Sequence, residues 1–306
     1  FIQSESETAA INMVIGAAAT GSRVMTSSSS PGISLKQEGI SFLAGFELPA
    51  VIVNVMRGGP GLGNIAPAQG DYFQATRGGG HGDYRTPVFA PASVQEIADL
   101  TYHAFDVADR YRTPVMMLSD GMMGQMKEPV VFPEMIAELP PKEWALGGRG
   151  DGPSRYLCSL ILDAMEMERH NWKLVRKYNE IEKNEIRFEE YMTDDAEIIV
   201  IAYGTTARIA KGAIKRVRKD GVRAGMIRPI TLWPFPKKVL KDLTSRVKRF
   251  IVFEMSTGQM LEDVQIALEG NADIIFHGRP GGVVPTPIEF ARIIYREYQK
   301  TAKGDR

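Results

Sequence analysis

FIQSESETAAINMVIGAAATGSRVMTSSSSPGISLKQEGISFLAGFELPAVIVNVMRGGPGLG (residues 1–63) is the stretch on which the reading of the fold rests. Residues 8–19 (TAAINMVIGAAA) are almost wholly apolar or small, with Ala and Met favouring helix, and stop at Thr20-Gly21, a fitting helix end. They predict a buried helix. The run 24–32 (VMTSSSSPG) reads as a serine cluster and polar turn, and residues 33–44 as a helix opened by Pro31-Gly32. Residues 51–56 (VIVNVM) read as a strand apolar enough to be covered on both faces. That strand ends on Arg57 and a glycine loop, RGGPGLGN. Three loops therefore follow three apolar segments, and their convergence at the carboxyl edge of a parallel sheet would make the ligand site of an open α/β fold.

Outward from this stretch, strand and helix keep alternating. A long glycine-rich loop (58–85) precedes an amphipathic helix at 93–111, with Ser93 as cap and Glu96 three residues on, and then a strand at 114–118. Residues 129–152 are rich in Pro and Gly, and the charged run 163–191 predicts a solvated connector or docking helix. Alternation resumes at Glu197 (EIIVIAYG, VRAGMI, RFIVFEM, DIIFHG, each followed by a helix or turn), which predicts a second α/β unit. The expected division is a first domain at 1–150, a linker and charged helix at 151–194, and a second domain at 195–306.

Composition narrows the function classes. The chain has 306 residues, 44% hydrophobic and 24% charged, with Lys+Arg and Asp+Glu both 37. A balanced charge lacks the basic footprint of a nucleic-acid or anionic-membrane binder, and no apolar run is long enough to span a bilayer. The single Cys158 rules out an internal disulfide and a cysteine-ligated cluster held by this chain alone, and it suits a cytoplasmic, reducing setting.

Several residues stand out chemically. Glu5 and Glu7 lie at the start of the first helix, where a carboxylate is stabilised by unpaired N–H groups, or where one of them could serve a cofactor. Arg57 is either a solvated strand-end charge or, above a Gly-Gly-Pro-Gly loop, a fork for a carboxylate or phosphate. The hydroxyls of Ser27, Ser28, Ser29 and Ser30 with Gly32 form a polar turn or a ring cradle, and His81, flanked by glycines, is a proton-transfer group or a surface histidine. GPGLG at 59–63 fails as a dinucleotide fingerprint because no helix follows it, and Gly150-Asp151-Gly152 lacks a preceding strand to fix a metal-binding carboxylate. Met122, Met123 and Met126 suit packing at an interface.

Residues 1–45, 49–85 (PAVIVNVMRGGPGLGNIAPAQGDYFQATRGGGHGDYR) and 90–126 together resemble the alpha subunit of the 2-oxoacid:ferredoxin oxidoreductases, nearest the branched-chain (2-oxoisovalerate, 3-methyl-2-oxobutanoate) type. YGTTAR, RPITLWPFP and VFEMSTGQM resemble the transketolase C-terminal domain. The resemblance implies a pyrimidine-binding-type domain for thiamine diphosphate followed by a transketolase-C-terminal-like domain, both α/β. It also implies that a preceding strand, loop and helix belong before Phe1.

The implied reaction is oxidative decarboxylation of a 2-oxoacid to an acyl-coenzyme A, with electrons passed to ferredoxin. Glu7 matches the family's cofactor-activating glutamate, Arg57 its carboxylate-binding arginine, and Gly61 and Leu62 replace the polar pair of 2-oxoglutarate-type members, which points to an apolar substrate side chain. Ser28, Ser29, Ser30, Gly32 and His81 would contact the cofactor. Thiamine diphosphate would be shared with a diphosphate-binding beta subunit, while magnesium and [4Fe-4S] clusters would lie on partner subunits, with gamma and ferredoxin-like subunits completing the assembly. Another 2-oxoacid as substrate, or a non-catalytic scaffold subunit, are the alternatives.

Overall fold

The computed structural model describes residues 1–134, 139, 141–148 and 154–302. The motif Gly150-Asp151-Gly152 lies outside the described residues. Two five-stranded sheets organise the described residues. In the first, β1 (Met25–Ser29), β2 (Ala50–Met56) and β4 (Pro114–Asp120) run parallel, with β3 (Val88–Phe89) beside β4 and β8 (Thr231–Trp233) closing the edge antiparallel to β3. The second has the order β10 (Asp273–Gly278), β9 (Arg249–Glu254), β6 (Ile198–Ile201), β7 (Ala224–Pro229) and β5 (Phe188–Tyr191), parallel except for β5.

Apolar patterning explains the layers. The central strands β2 and β4 are almost wholly buried because helices cover both faces. On one side, Ile11 and Val14 of α1 (Glu7–Ala19) and Ile33, Ile40 and Leu43 of α2 (Ser30–Phe46) meet Ile52 and Met56. On the other, Leu100, Ala104, Val107 and Ala108 of α4 (Val94–Tyr111) meet Val51, Val115 and Met117. In the second sheet, α7 (Gly204–Lys219) and α10 (Pro287–Ala302) pack together over β6 and β9. The first cluster continues through Tyr72 to Tyr203, Val252 and Val264, so the two halves share a core.

Polar contacts fix the junction. Gln69, fully buried, donates to the Tyr203 carbonyl at 3.0 Å and accepts from Met255 N at 2.9 Å, and Tyr72 Oη donates to Asp263 at 2.5 Å. Arg228, 2% exposed, forks onto Glu96 and also donates to Glu189.

Five expectations are corrected. The serine cluster is not a turn: Met25–Ser29 is strand, drawn into the ladder by pairing residue for residue with 51–55 of β2. The first helix is buried on one face only, at Ile11, Val14 and Ala18, with Met13 47% exposed. The loop after that helix leads into the start of β1, hence to the amino edge, and it is the helix's first turn that reaches the carboxyl edge. The long loop 58–85 contains a helix, α3 (Tyr72–Arg77). The charged run divides into α6 (Ala164–Asn184) and strand β5 instead of forming one helix, and of its two expected readings α6 follows the docking one: Leu174, Tyr178 and Ile181 are buried, and Lys173 and Lys177 bind Glu47.

The expected boundary at Asp194 falls between β5 and β6, yet β8 crosses back to join the first sheet. No described helix is long and apolar enough to cross a membrane.

Candidate active site

Parallel register brings three strand ends level. Ser29 pairs with Val55, and Met56 with Asp120, so Ser30, Arg57 and Gly121 start their loops or helices side by side. Glu7 joins them from above. It is the first residue of α1, capped by Ser6, whose hydroxyl accepts from Ala9 N at 3.2 Å. Gly32, in the first turn of α2, permits the meeting: a Cβ there would stand 2.0 Å from Ser28 Oγ and 2.7 Å from Glu7 Oε1. Those distances lie inside van der Waals contact, so a side chain there would have to push Ser28 or Glu7 aside.

A polar chain ties the neighbouring ends. Ser30 Oγ donates to Asp71 Oδ2 at 2.5 Å and accepts from the Arg57 backbone N–H at 3.0 Å, while Asn54 Nδ2 donates to the same Asp71 oxygen at 2.9 Å. Ser29 is the N-terminal cap residue of α2 but makes no side-chain cap bond, which leaves its hydroxyl uncommitted to the helix. Asp120 caps α5 (Gly121–Gln125) through Met122 N and Met123 N, and burial pushes its carboxyl above the ordinary value.

Arg57 turns its guanidinium into the glycine loop, where Nη2 donates to the Leu62 carbonyl at 3.1 Å, and its buried Nε has no partner. The loop is fixed from both sides. Gly58 N donates to Ala66 O, Asn64 N to Gly58 O, and Asn64 Nδ2 reaches Gly281 O in the second half of the chain at 2.9 Å. Gly61 holds φ +68° and Leu62 is 84% exposed, so in this chain the loop presents its apolar side chain outward.

His81 lies elsewhere. Its carbonyl accepts from Ser41 Oγ, nine residues beyond Gly32 on α2, which is about 13 Å along the helix axis. Glu7, Ser28, Ser30, Gly32 and Arg57 are thus brought together, Ser29 and the Gly61-Leu62 loop border them, and His81 stands apart.

Three residues here went unread in the sequence. Asn54 is the one polar residue inside an otherwise apolar strand, which was a usable signal; its Oδ1 is buried without a partner. Asp71 sits in a polar loop and gave none. Lys36, one turn after Gly32, is 1% exposed, and burial lowers its ammonium while the Glu7 charge works against that shift.

The corner suits the aminopyrimidine half of thiamine diphosphate: a carboxylate at a glycine-lined meeting of two helix starts, with unpartnered polar atoms on Asn54 and Arg57 near the same edge. Among the described residues, no group of three or more His, Cys, Asp or Glu could hold a metal ion.

Residues 1–187 match the family described as pyruvate flavodoxin/ferredoxin oxidoreductase, thiamine diphosphate-binding, and residues 196–290 match pyruvate:ferredoxin oxidoreductase core domain II. The chain is 56% identical over 283 residues to ketoisovalerate oxidoreductase subunit VorB of Methanothermobacter thermautotrophicus, covering 92% of this chain and 80% of that one. It is 36% identical over 324 residues to the 2-oxoglutarate synthase subunit KorA of the same organism, covering 97% and 86%. A solved 2-oxoglutarate:ferredoxin oxidoreductase from Magnetococcus marinus superposes with TM-score 0.84 at 24% identity, over 97% of this chain and 57% of that chain. A split-gene transketolase does so with TM-score 0.61 at 12% identity, over 98% and 83%. These last two likenesses speak for the fold alone. The two family matches and the identity to VorB carry the assignment, and the chain belongs to the thiamine diphosphate-dependent 2-oxoacid:ferredoxin oxidoreductases.

Proposed function

We propose that this chain supplies the pyrimidine side of the cofactor site in an enzyme that converts a branched-chain 2-oxoacid and coenzyme A to the acyl-coenzyme A and carbon dioxide, with two electrons passed to ferredoxin. The observation that carries the reading is that Glu7 and Ser28 both close on Gly32, beside Arg57 at one sheet edge. When bound, thiamine diphosphate supplies the electron sink for the carbon left by decarboxylation.

The chain's own residues supply placement and proton logic. Glu7 exchanges a proton with the pyrimidine ring nitrogen, the general acid–base role for which a carboxylate at a fixed short range is suited. Gly32 lets backbone and carboxylate approach without a side chain between them. Ser28 and Ser29 offer hydroxyls around that approach, while the Ser30 hydroxyl, bonded to Asp71 and to the Arg57 N–H, ties the start of α2 to β2 and to the start of α3. Arg57 holds the substrate carboxylate with donors it does not spend on Leu62, an arrangement that favours a planar, bidentate anion.

Partner subunits complete the site. With one cysteine, this chain does not hold an iron–sulfur cluster by itself, so the diphosphate-binding half, magnesium and the clusters are proposed to lie on partners. Leu35, Leu62, Ile65 and Met122, exposed at 58%, 84%, 89% and 42%, flank the carboxyl edge as an apolar rim for such a partner. The branched-chain preference rests on the 56% identity to a ketoisovalerate enzyme subunit, against 36% to a 2-oxoglutarate one, together with Gly61-Leu62 in the loop. The test is an assay of the assembled complex with coenzyme A and ferredoxin against 3-methyl-2-oxobutanoate, 2-oxoglutarate and pyruvate. The highest kcat/KM is expected for the first, and a preference for 2-oxoglutarate overturns the substrate reading.

A further inference from the structure

Lys36 is a fully buried cation whose hydrogen-bond partners are both neutral. Its ammonium donates to Thr26 Oγ1 at 2.7 Å and to the Ser27 carbonyl at 3.2 Å. A buried ammonium resting on dipoles alone is strongly disfavoured unless an anion lies near. The carboxylate at this corner is Glu7, reached through Gly32 and Ser28 rather than by a direct ion pair. Gly32 and Lys36 stand one turn apart on the same face of α2, and helical side chains lean back towards the helix start. Gly32 touches Glu7, and the residues that hold the ammonium, Thr26 and Ser27, immediately precede Ser28, which touches Gly32 as well. The Glu7 charge also acts on Lys36 against its burial.

Other charges at this corner are turned elsewhere. Glu5 is exposed and bonded to Ser4 and Ser6, Asp71 is committed to Ser30 and Asn54, Arg57 faces Leu62, and Glu38 of α2 is exposed.

We propose that Lys36 is a positioning residue that acts through Glu7: its ammonium, fixed behind β1, favours the Glu7 carboxylate and so sets the proton affinity of the pair formed by Glu7 and the bound pyrimidine ring. This rests on the reading of Glu7 given above. A nearby cation lowers a carboxylate's proton affinity. Removing it therefore raises that affinity and moves the acid-side midpoint to higher pH.

The test uses the assembled complex with Lys36→Gln, which keeps a donor for Thr26 and Ser27, Lys36→Met, and the charge-keeping Lys36→Arg. Two quantities are followed against pH: the near-ultraviolet circular dichroism of the bound cofactor's aminopyrimidine and iminopyrimidine forms, and kcat/KM. Both midpoints should rise by about one unit in whichever neutral variant assembles, and should stay near the wild-type value in Lys36→Arg. A neutral variant with a lower thermal midpoint but unmoved pH midpoints makes Lys36 a structural tie and overturns the proposal. Failure of both neutral variants to assemble, with Lys36→Arg assembling at a shifted midpoint, overturns it too. Glu7→Gln separates the two readings: full turnover in that variant removes the role of Glu7 itself, whereas its loss beside an unmoved Lys36→Gln profile removes only the role of Lys36.

Discussion

Glu7 and Gly32 touch across the first turns of two helices, so closely that a β-carbon at residue 32 would lie 2.7 Å from the Glu7 carboxylate oxygen. Gly32→Ala must therefore push Glu7, Ser28 or the start of α2 aside. A misplacement of about 1 Å in catalytic geometry costs on the order of 10²-fold in rate, and that loss is expected here with the chain still folded. Turnover of the complex beside its circular dichroism spectrum checks it, and wild-type turnover would show that the contact is not used.

Glu7→Gln preserves size and packing but removes the exchangeable carboxyl proton. Turnover should fall about 10²–10⁴-fold while assembly is retained. Steady-state rates on the purified complex, with cofactor saturation confirmed, are the measurement.

Arg57 and Leu62 separate affinity from selectivity. Arg57→Ala should lower kcat/KM on every 2-oxoacid and leave their order intact, since all share the carboxylate. Leu62→Thr should instead weaken a branched aliphatic substrate relative to 2-oxoglutarate by about 1–3 kcal/mol. Because Leu62 is 84% exposed in this chain, the effect requires the partner subunit to close the loop over the substrate. An unchanged substrate ratio in the Leu62 variant, with a changed one in the Arg57 variant, refutes the division of roles.

Glu189 offers a pH signature at the junction. It faces Arg228 across β5 and β7, and it binds Arg228 Nε at 2.7 Å and Lys211 at 2.6 Å. Burial alone would raise its carboxyl, but Lys211 and Arg228 hold it below the ordinary value. A carboxyl depressed in the folded state adds stability above its unfolded pKa, and that stability is lost as pH falls through the folded one. Glu189→Gln should thus lower the thermal midpoint at pH 7 by about 1–3 °C, and the gap to wild type should narrow as pH falls through and below the ordinary carboxylate range. A gap that is constant with pH would assign the effect to packing.

Much of the molecule was legible in local pattern. The cap and spacing of α4, the apolar strand ending on Arg57, and the acidic start of α1 are written in neighbouring residues, because a helix or covered strand announces its buried face by periodicity. Family-specific motifs singled out Glu7 over its one acidic neighbour, Glu5, for the same local reason.

What periodicity does not carry is pairing at long range. MTSSS has no apolar alternation and becomes strand only because β2 offers it a ladder, and FEEY and TLW join sheets through partners 35 or more residues away. Asp71 acquires its place from Ser30, 41 residues earlier, and His81 is carried from the site by the length of α2. Lys36 reads as one more helix charge, yet it is 1% exposed and bonded to Thr26 and Ser27 of β1. Burial of a charge depends on what folds over it, so tertiary packing alone settled that this lysine would be buried.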